Sequence, residues 1–126
     1  MTVKYTVVPK VNPQNPEAPR KYYPMVKSTG KTNLRQLAER IAEISTVSSV
    51  DVVAVLEAFL NIVPRELAEG NIVKLGDFGS FSLRIRSQGA DSEEQVTAHN
   101  ITKTLTSFRP GKRFKETLDN VSYEKM

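Results

Sequence analysis

The most conspicuous chemical feature of this sequence is a run of cations in the segment Phe-Arg-Pro-Gly-Lys-Arg-Phe-Lys, which spans residues 108–115. Its cationic members are Arg109, Lys112, Arg113 and Lys115. Cations at this density suit contact with a polyanion, because each Lys or Arg that neutralises a phosphate releases condensed counterions. A basic segment can equally be the solvated face of an ordinary domain. The segment therefore indicates phosphate binding only in combination with other features.

Catalytic and metal-binding chemistry has little support in the composition. The chain has no cysteine, which excludes disulfides, thiolate metal sites and thiol nucleophiles and favours an intracellular compartment. The single histidine, His99, cannot form a multi-histidine metal site, and nothing near it indicates an activated Ser or Thr. We therefore interpret His99 as a surface or strand residue, and we expect no enzymatic activity, metal, cofactor or small-molecule substrate.

The charge is distributed unevenly along the 126 residues, which together carry a net charge of +4 and have a pI near 9.4. Residues 1–31 carry +5, residues 32–70 carry −3 and residues 71–126 carry +2. Two basic ends around an acidic middle favour an acidic partner. No apolar run approaches the roughly 20 residues of a membrane span, and no signal peptide is evident. We expect a soluble, cytoplasmic protein of single-domain size.

Two strands are predicted near the N-terminus, over residues 4–9 and 21–26, where β-branched and aromatic residues are frequent. A loop with three prolines separates them. Because proline cannot donate to a sheet ladder, we expect both strands to be edge-like or to end at Pro9 and Pro24.

Two helices are predicted next, over residues 33–44 and 50–68, from apolar side chains at helical spacing. Ser48 supplies an N-cap signal for the second helix. That helix is apolar on more than one side, and dimerisation covers such a surface most simply. Pro64 removes one helical hydrogen bond and predicts a kink near Leu60.

The last part of the chain combines short strands with one helix. Strands are predicted over residues 71–75, 81–86 and 96–105, a polar loop or ribbon tip over residues 87–95, and a helix over residues 108–120. Alternation places Arg84 and Arg86 on one basic face. Lys112 and Lys115 share the outer face of the helix. Its start, at Pro110 and Gly111, is expected to offer free backbone N–H groups to a phosphate.

Two sequence motifs among these elements resemble those of a known protein family. Gly-Asp-Phe-Gly-Ser-Phe, at residues 76–81, precedes the cationic segment 108–115 by about thirty residues, and both follow the two helices. Over residues 32–121 the chain resembles the bacterial HU and integration-host-factor family of histone-like DNA-binding proteins. The N-terminal segment lies outside the usual family boundaries and resembles that of an elongated HU-like branch associated with Bacteroides-type bacteria.

The resemblance implies an α+β fold with two N-terminal helices, a β-sheet with an extended ribbon arm and a short C-terminal helix, assembled as an intertwined dimer. Here a two-strand extension, residues 1–31, precedes the HU-like domain, residues 32–121, and a tail follows at residues 122–126. By position in the family, the residues expected to contact DNA are Lys74, Arg84, Arg86, Lys103, Arg109, Lys112, Arg113 and Lys115. The implied function is sequence-tolerant binding and condensation of double-stranded DNA by a nucleoid-associated homodimer.

The arm departs from the family pattern. Family members carry an Arg-Asn-Pro stretch at the arm tip, whose proline wedges between base pairs. Residues 87–100 contain no Pro, Lys or Arg but include Asp91, Glu93 and Glu94. These changes disfavour DNA bending by proline intercalation. The basic N-terminal segment either adds phosphate contacts or serves a structural role, and we favour the structural role for its strands.

The acidic arm motivates a rival hypothesis, in which the chain is an HU-fold dimeric protein-interaction module that has lost DNA binding. Binding of RNA or single strands ranks lower, because the chain lacks an evident platform of exposed aromatic residues for stacking bases. An enzyme ranks lowest, since no nucleophile with an activator is apparent.

Overall fold

A computed structural model describes all residues of the chain, Met1–Met126. Its elements are β1 (Thr2–Lys10), β2 (Lys21–Lys27), α1 (Leu34–Glu43), α2 (Ser49–Ala68), β3 (Val73–Lys74), β4 (Gly79–Ser87), β5 (Ile101–Pro110), α3 (Lys112–Asp119) and β6 (Ser122–Lys125). The chain divides into two compact units. Leu34–Glu116 form one unit, and Met1–Asn33 with Thr117–Met126 form the other.

The smaller unit is built on a three-stranded sheet with the order β2-β1-β6. The two predicted N-terminal strands are present as an antiparallel pair. The segment predicted as a C-terminal tail instead forms β6, which pairs with β1 in parallel over Thr2–Tyr5. The strand β1 is therefore central along its first half and not edge-like. Pro9 lies beyond the part of β1 that pairs with β6, and Pro24 lies in the edge strand β2, so neither proline interrupts two ladders.

The helices α1 and α2 lie where the apolar spacing predicts them. The Ser48 hydroxyl accepts a hydrogen bond from the Asp51 backbone N–H at 3.3 Å and caps α2, as predicted. The helix continues through Pro64 to Ala68, so this proline does not end it. None of the helices combines the length and hydropathy needed to cross a membrane.

The larger unit also contains a three-stranded sheet, with the order β3-β4-β5 and antiparallel pairing throughout. The strand predicted over residues 71–75 is reduced to the two residues of β3. The strand predicted over residues 96–105 begins only at Ile101, because Thr97 and Asn100 close a capped 3-10 turn instead. In that turn the Asn100 side-chain oxygen accepts from the Thr97 N–H at 2.9 Å.

The helix predicted over residues 108–120 begins at Lys112. Phe108, Arg109 and Pro110 instead complete β5, where they pair with the first residues of β4. The motif at residues 76–81 supplies a single 3-10 turn, Gly76–Phe78, followed by the start of β4. The two motifs therefore meet at one corner of the sheet.

Few side chains are buried within one chain. Ala38, Val52 and Leu67 are the only hydrophobic residues in the buried class, whereas Val55 is 65% exposed and Leu60 is 51% exposed. The accessible surface is 10968 Å². Two separately folded units of these sizes would together expose only about 8,000 Å². The helices thus present an apolar surface that the chain itself leaves uncovered.

Candidate nucleic-acid interface

The strand register gathers cations onto one face of the β3-β4-β5 sheet. Directly opposite residues of antiparallel strands lie on the same face, as do alternate residues along one strand. Arg86 pairs with Lys103, Arg109 pairs with Ser80, and Ser80 also pairs with Lys74. The face therefore carries Lys74, Arg84, Arg86, Lys103 and Arg109, and we call it the basic sheet face.

These five cations are exposed, and none forms an ion pair with a carboxylate within the chain. Arg84 lies opposite Leu105 and two residues from Arg86, so the charges form a band along the β4–β5 hairpin. Exposed cations without internal partners are available to an external anion. Five of the eight predicted contact residues are thus brought together, and their contact with phosphate stays a prediction.

The remaining three predicted residues, Lys112, Arg113 and Lys115, lie in the first half of α3. All three are exposed, and α3 begins three residues after Arg109, the last cation of β5. The cationic segment therefore divides between a strand end and a helix start instead of belonging to one helix.

Two glycines allow the turn and the helix start to approach each other. A Cβ on Gly111 would overlap the carbonyl oxygen of Asp77 and lie 2.6 Å from its carbonyl carbon. Gly79 has a φ of 147°, and a Cβ there would lie 2.6 Å from the Arg109 carbonyl oxygen. Since ordinary carbon contacts are about 3.5–4.0 Å, no larger residue fits either position without displacing backbone.

The backbone N–H of Gly111 is not free for a phosphate. It donates to the Phe78 carbonyl oxygen at 2.9 Å and so ties the helix start to the turn. The expected phosphate site on this N–H group is therefore wrong. Gly111 therefore serves packing of the helix start against the turn.

Four phenylalanines from the two motifs hold this corner together. Phe108 lies with its ring centroid 4.8 Å from that of Phe81, 5.5 Å from that of Phe114 and 5.7 Å from that of Phe78. Phe78 and Phe114 meet edge to face at 5.2 Å. Aromatic pairs in such geometries contribute about 0.5–1.5 kcal/mol beyond their buried area. The cluster fixes α3, and hence its cations, relative to the end of the sheet.

The opposite face of the sheet is apolar and faces α2. An open groove of about 590 Å³ separates them, lined by Val63, Pro64, Leu67, Ala68, Phe81, Leu83, Thr104 and Thr106. The sheet therefore has one face directed at the helices and another that is free to meet a ligand.

The hydroxyl groups of the basic sheet face are not among the residues predicted from the sequence to contact DNA. Ser82 pairs directly with Ser107, and Ser80 lies between Lys74 and Arg109. Serine hydroxyls commonly donate to phosphate oxygens. The same two-residue alternation that placed Arg84 on this face also places Ser82 there, so the pattern contained the signal.

The hairpin tip carries the opposite charge. The paired strands stop at Ser87 and Ile101, after a bulge at Arg86. Gln88 and Asn100 close the base of the tip through hydrogen bonds of 2.8 and 3.0 Å. The residues between them include all three arm carboxylates and no Lys or Arg, and His99 lies exposed in a 3-10 turn. His99 is thus a surface residue, as predicted. No group of three or more acidic or histidine side chains is placed to hold a metal ion.

Comparison with known proteins relates the whole chain to one family. The family model described as HU domain fused to wHTH, Ig, or Glycine-rich motif matches residues 1–125. Integration host factor subunit alpha of Proteus mirabilis is 33% identical over 89 residues, which cover 69% of this chain and 91% of the relative. The corresponding subunit of Vibrio atlanticus is 32% identical over 92 residues, 71% of this chain and 93% of the relative.

Solved structures agree with this relationship. Anabaena HU in its cocrystal with DNA superposes with a TM-score of 0.56 at 26% identity, covering 71% of this chain and 99% of the HU chain. A protein from Bacteroides vulgatus superposes over 99% of this chain with a TM-score of 0.68. At 13% identity the latter likeness concerns the fold alone, and this chain spans 48% of that longer protein.

Proposed function

The chain belongs to the HU and integration-host-factor family of DNA-binding proteins, and from this premise we propose that it is a non-enzymatic, architectural protein that binds double-stranded DNA as a homodimer. In this proposal residues 32–121 form the DNA-binding domain and residues 1–31 a β extension. The protein acts in the cytoplasm on the nucleoid. Its relationship to HU and integration host factor, together with the Anabaena HU complex with DNA, supports this assignment.

The observation that carries the proposal is the basic sheet face. Its cations lie on the face turned away from the helices, so a duplex can approach them without displacing α1 or α2. Each cation that neutralises a phosphate makes the slope of log K against log salt concentration steeper by about 0.9. The cations Lys112, Arg113 and Lys115 extend the proposed contact beyond the end of β5.

The chemistry of this face favours binding that tolerates many sequences. Lys, Arg and Ser side chains can all contact phosphate oxygens, which carry no direct sequence information. The basic sheet face is a strand surface, and the exposed helix α3 is only eight residues long. Neither provides the kind of recognition helix that reads base edges in the major groove.

Dimerisation is supported by the surface that one chain leaves exposed. The accessible area exceeds the value expected for two compact units by about 2,900 Å² per chain. Two chains together carry about 5,800 Å² of this excess, and because interfaces of obligate dimers bury about 2,000–5,000 Å² or more in total, an intertwined dimer would cover most of it. Half-exposed apolar residues of α2, including Phe59 and Leu60, are the surface we assign to it.

The proposed binding mode centres on the body and not on the arm tip. The tip carries Asp91, Glu93 and Glu94, and like charges repel phosphates. It has no proline to insert between base pairs. We therefore propose phosphate binding without intercalation.

A titration of the full chain with duplexes of unrelated sequence tests the proposal. We expect similar dissociation constants for the different sequences and a steep loss of affinity between 50 and 200 mM salt. Fluorescence anisotropy provides the measurement. Absence of binding at the lower salt concentration would overturn the proposed function.

The acidic tip favours one second candidate, an HU-fold dimer that contacts proteins and no longer binds DNA. Affinity capture after nuclease treatment distinguishes the two functions. Protein partners recovered by the wild-type chain but lost on replacing the three tip carboxylates, together with no DNA affinity, would favour this candidate.

A further inference from the structure

The N-terminal sheet carries two pairs of lysines that its register places directly opposite each other. Lys4 of β1 faces Lys27 of β2, and Lys10 faces Lys21 at the other end of the same ladder. Alternate residues of β1 share a face, so Lys4 and Lys10 lie on the same side of the sheet. We call this side, with its four exposed lysines, the lysine face.

The arrangement is costly for the isolated sheet. Directly opposite side chains in an antiparallel pair have Cβ atoms about 4.5–5.5 Å apart, and like charges at that distance are destabilising. Glu124 of β6 lies beside Lys4 in the register and is the carboxylate neighbour of the Lys4–Lys27 pair. The Lys10–Lys21 pair has no carboxylate neighbour in either ladder.

The two faces of this sheet differ sharply. The opposite face is apolar and aromatic, with Tyr5, Val7, Tyr22, Pro24, Val26 and Tyr123 around a shallow groove of about 590 Å³. On the lysine face, the ammonium group of Lys10 lies 5.4 Å from the centroid of the Tyr23 ring, which holds that cation against the sheet. All four lysines of β1 and β2 thus lie on one side of the sheet.

We propose that the lysine face is a second binding surface for the phosphodiester backbone of duplex DNA. This inference rests on the proposed function and assigns the extension a part in it. The two lysine pairs are six residues apart along β1, which corresponds to about 20 Å. One DNA strand presents a charge every 3.4 Å of helix axis, so the pairs match phosphates about six base pairs apart. A phosphate neutralised by each lysine of a pair also relieves the repulsion between the two lysines.

Neutralising one pair tests the inference in the full-length dimer. In the variant K10Q/K21Q, the slope of log K against log salt concentration should become shallower by about 1.8 if one chain contacts DNA, or about 3.6 if both do. Between 50 and 200 mM salt, the smaller of these slope changes means that the variant loses about twelvefold less affinity than the wild type does. Thermal stability should stay unchanged or rise, because a repulsive pair is removed.

The variant K31Q/K125Q is the matched control. It removes the same charge from the same unit, but Lys31 lies outside the sheet and Lys125 pairs with Tyr5 on the apolar side. We expect its salt dependence to equal that of the wild type.

Three outcomes would overturn the inference. Equal slopes for K10Q/K21Q and the wild type would show that the lysine face does not contact DNA, even though the proposed function stands. Equal reductions in both variants would indicate a general effect of net charge. A wild-type chain that binds no DNA would remove the proposed function and this inference together.

Discussion

Replacing Gly111 by alanine should destabilise the protein, because the position directly before α3 has no room for a Cβ. At a position without steric conflict, Gly→Ala stabilises by about 0.4–1 kcal/mol. Here the added Cβ would lie 2.6 Å from the Asp77 carbonyl carbon and 3.0 Å from the Gly79 nitrogen. Because carbon contacts require about 3.5–4.0 Å, the turn and the helix start must separate by about 1 Å.

Overpacking of this kind costs about 1–3 kcal/mol. Separation also strains the hydrogen bond from the Gly111 N–H to the Phe78 carbonyl, which contributes about 1 kcal/mol. We therefore expect G111A to lose about 2–4 kcal/mol. For a unit of 83 residues this lowers Tm by at least about 8 °C. DNA affinity should also fall, since Lys112 and Lys115 move with α3.

Thermal and denaturant unfolding at one fixed protein concentration provide the measurement, because dimer stability depends on concentration. Gly89→Ala is the matched control, since nothing lies within 4 Å of a Cβ at Gly89. A Tm for G111A within about 1 °C of the G89A value would refute the packing argument.

Two further predictions concern the dimer and the arm. L60E should be monomeric in sedimentation experiments, because Leu60 is half exposed in one chain and an unpaired charge is costly to bury in an interface. E57Q is the control, and a dimeric L60E would contradict the assigned interface. D91N/E93Q/E94Q should raise DNA affinity by about two- to fivefold at 50 mM salt, and by less at 200 mM salt because screening weakens the repulsion between carboxylates and phosphates. Unchanged affinity in the titration would show that the tip does not come near phosphates.

Local signals predicted most of the elements. Apolar spacing and the Ser48 cap located both long helices, and β-branched runs located β1 and β2. The two motifs predicted the family and the turn at Gly79, where positive φ and close backbone contact require glycine.

Features that depend on pairing across the chain were not predictable in the same way. The strand β6 is short and polar, and it exists because it completes the sheet beside β1. The start of α3 was misplaced because Phe108 and Arg109 pair with β4 across a sequence separation that periodicity cannot detect. Residues 96–100 alternate like a strand, but Thr97 and Asn100 bond locally and close a turn instead.

The same distinction applies to the candidate site. The sequence identified the cations individually, and alternation placed Arg84 and Arg86 together. Only the register shows that Lys103 lies opposite Arg86 and that Lys74 and Arg109 lie on either side of Ser80. Conversely, the expected role of the Gly111 N–H failed because its partner, Phe78, belongs to a distant motif.

Binding of the DNA backbone by the basic sheet face is tested by the salt dependence of DNA affinity in the variant R84Q/R86Q/K103Q. The control R35Q/R40Q/R65Q removes three charges from α1 and α2, none of them on the basic sheet face. We predict that the slope of log K against log salt concentration becomes shallower by at least about 2.7 in the sheet variant and stays unchanged in the control. Equal slopes for the sheet variant and the wild type, with the fold intact by circular dichroism, would show that the basic sheet face does not bind the DNA backbone.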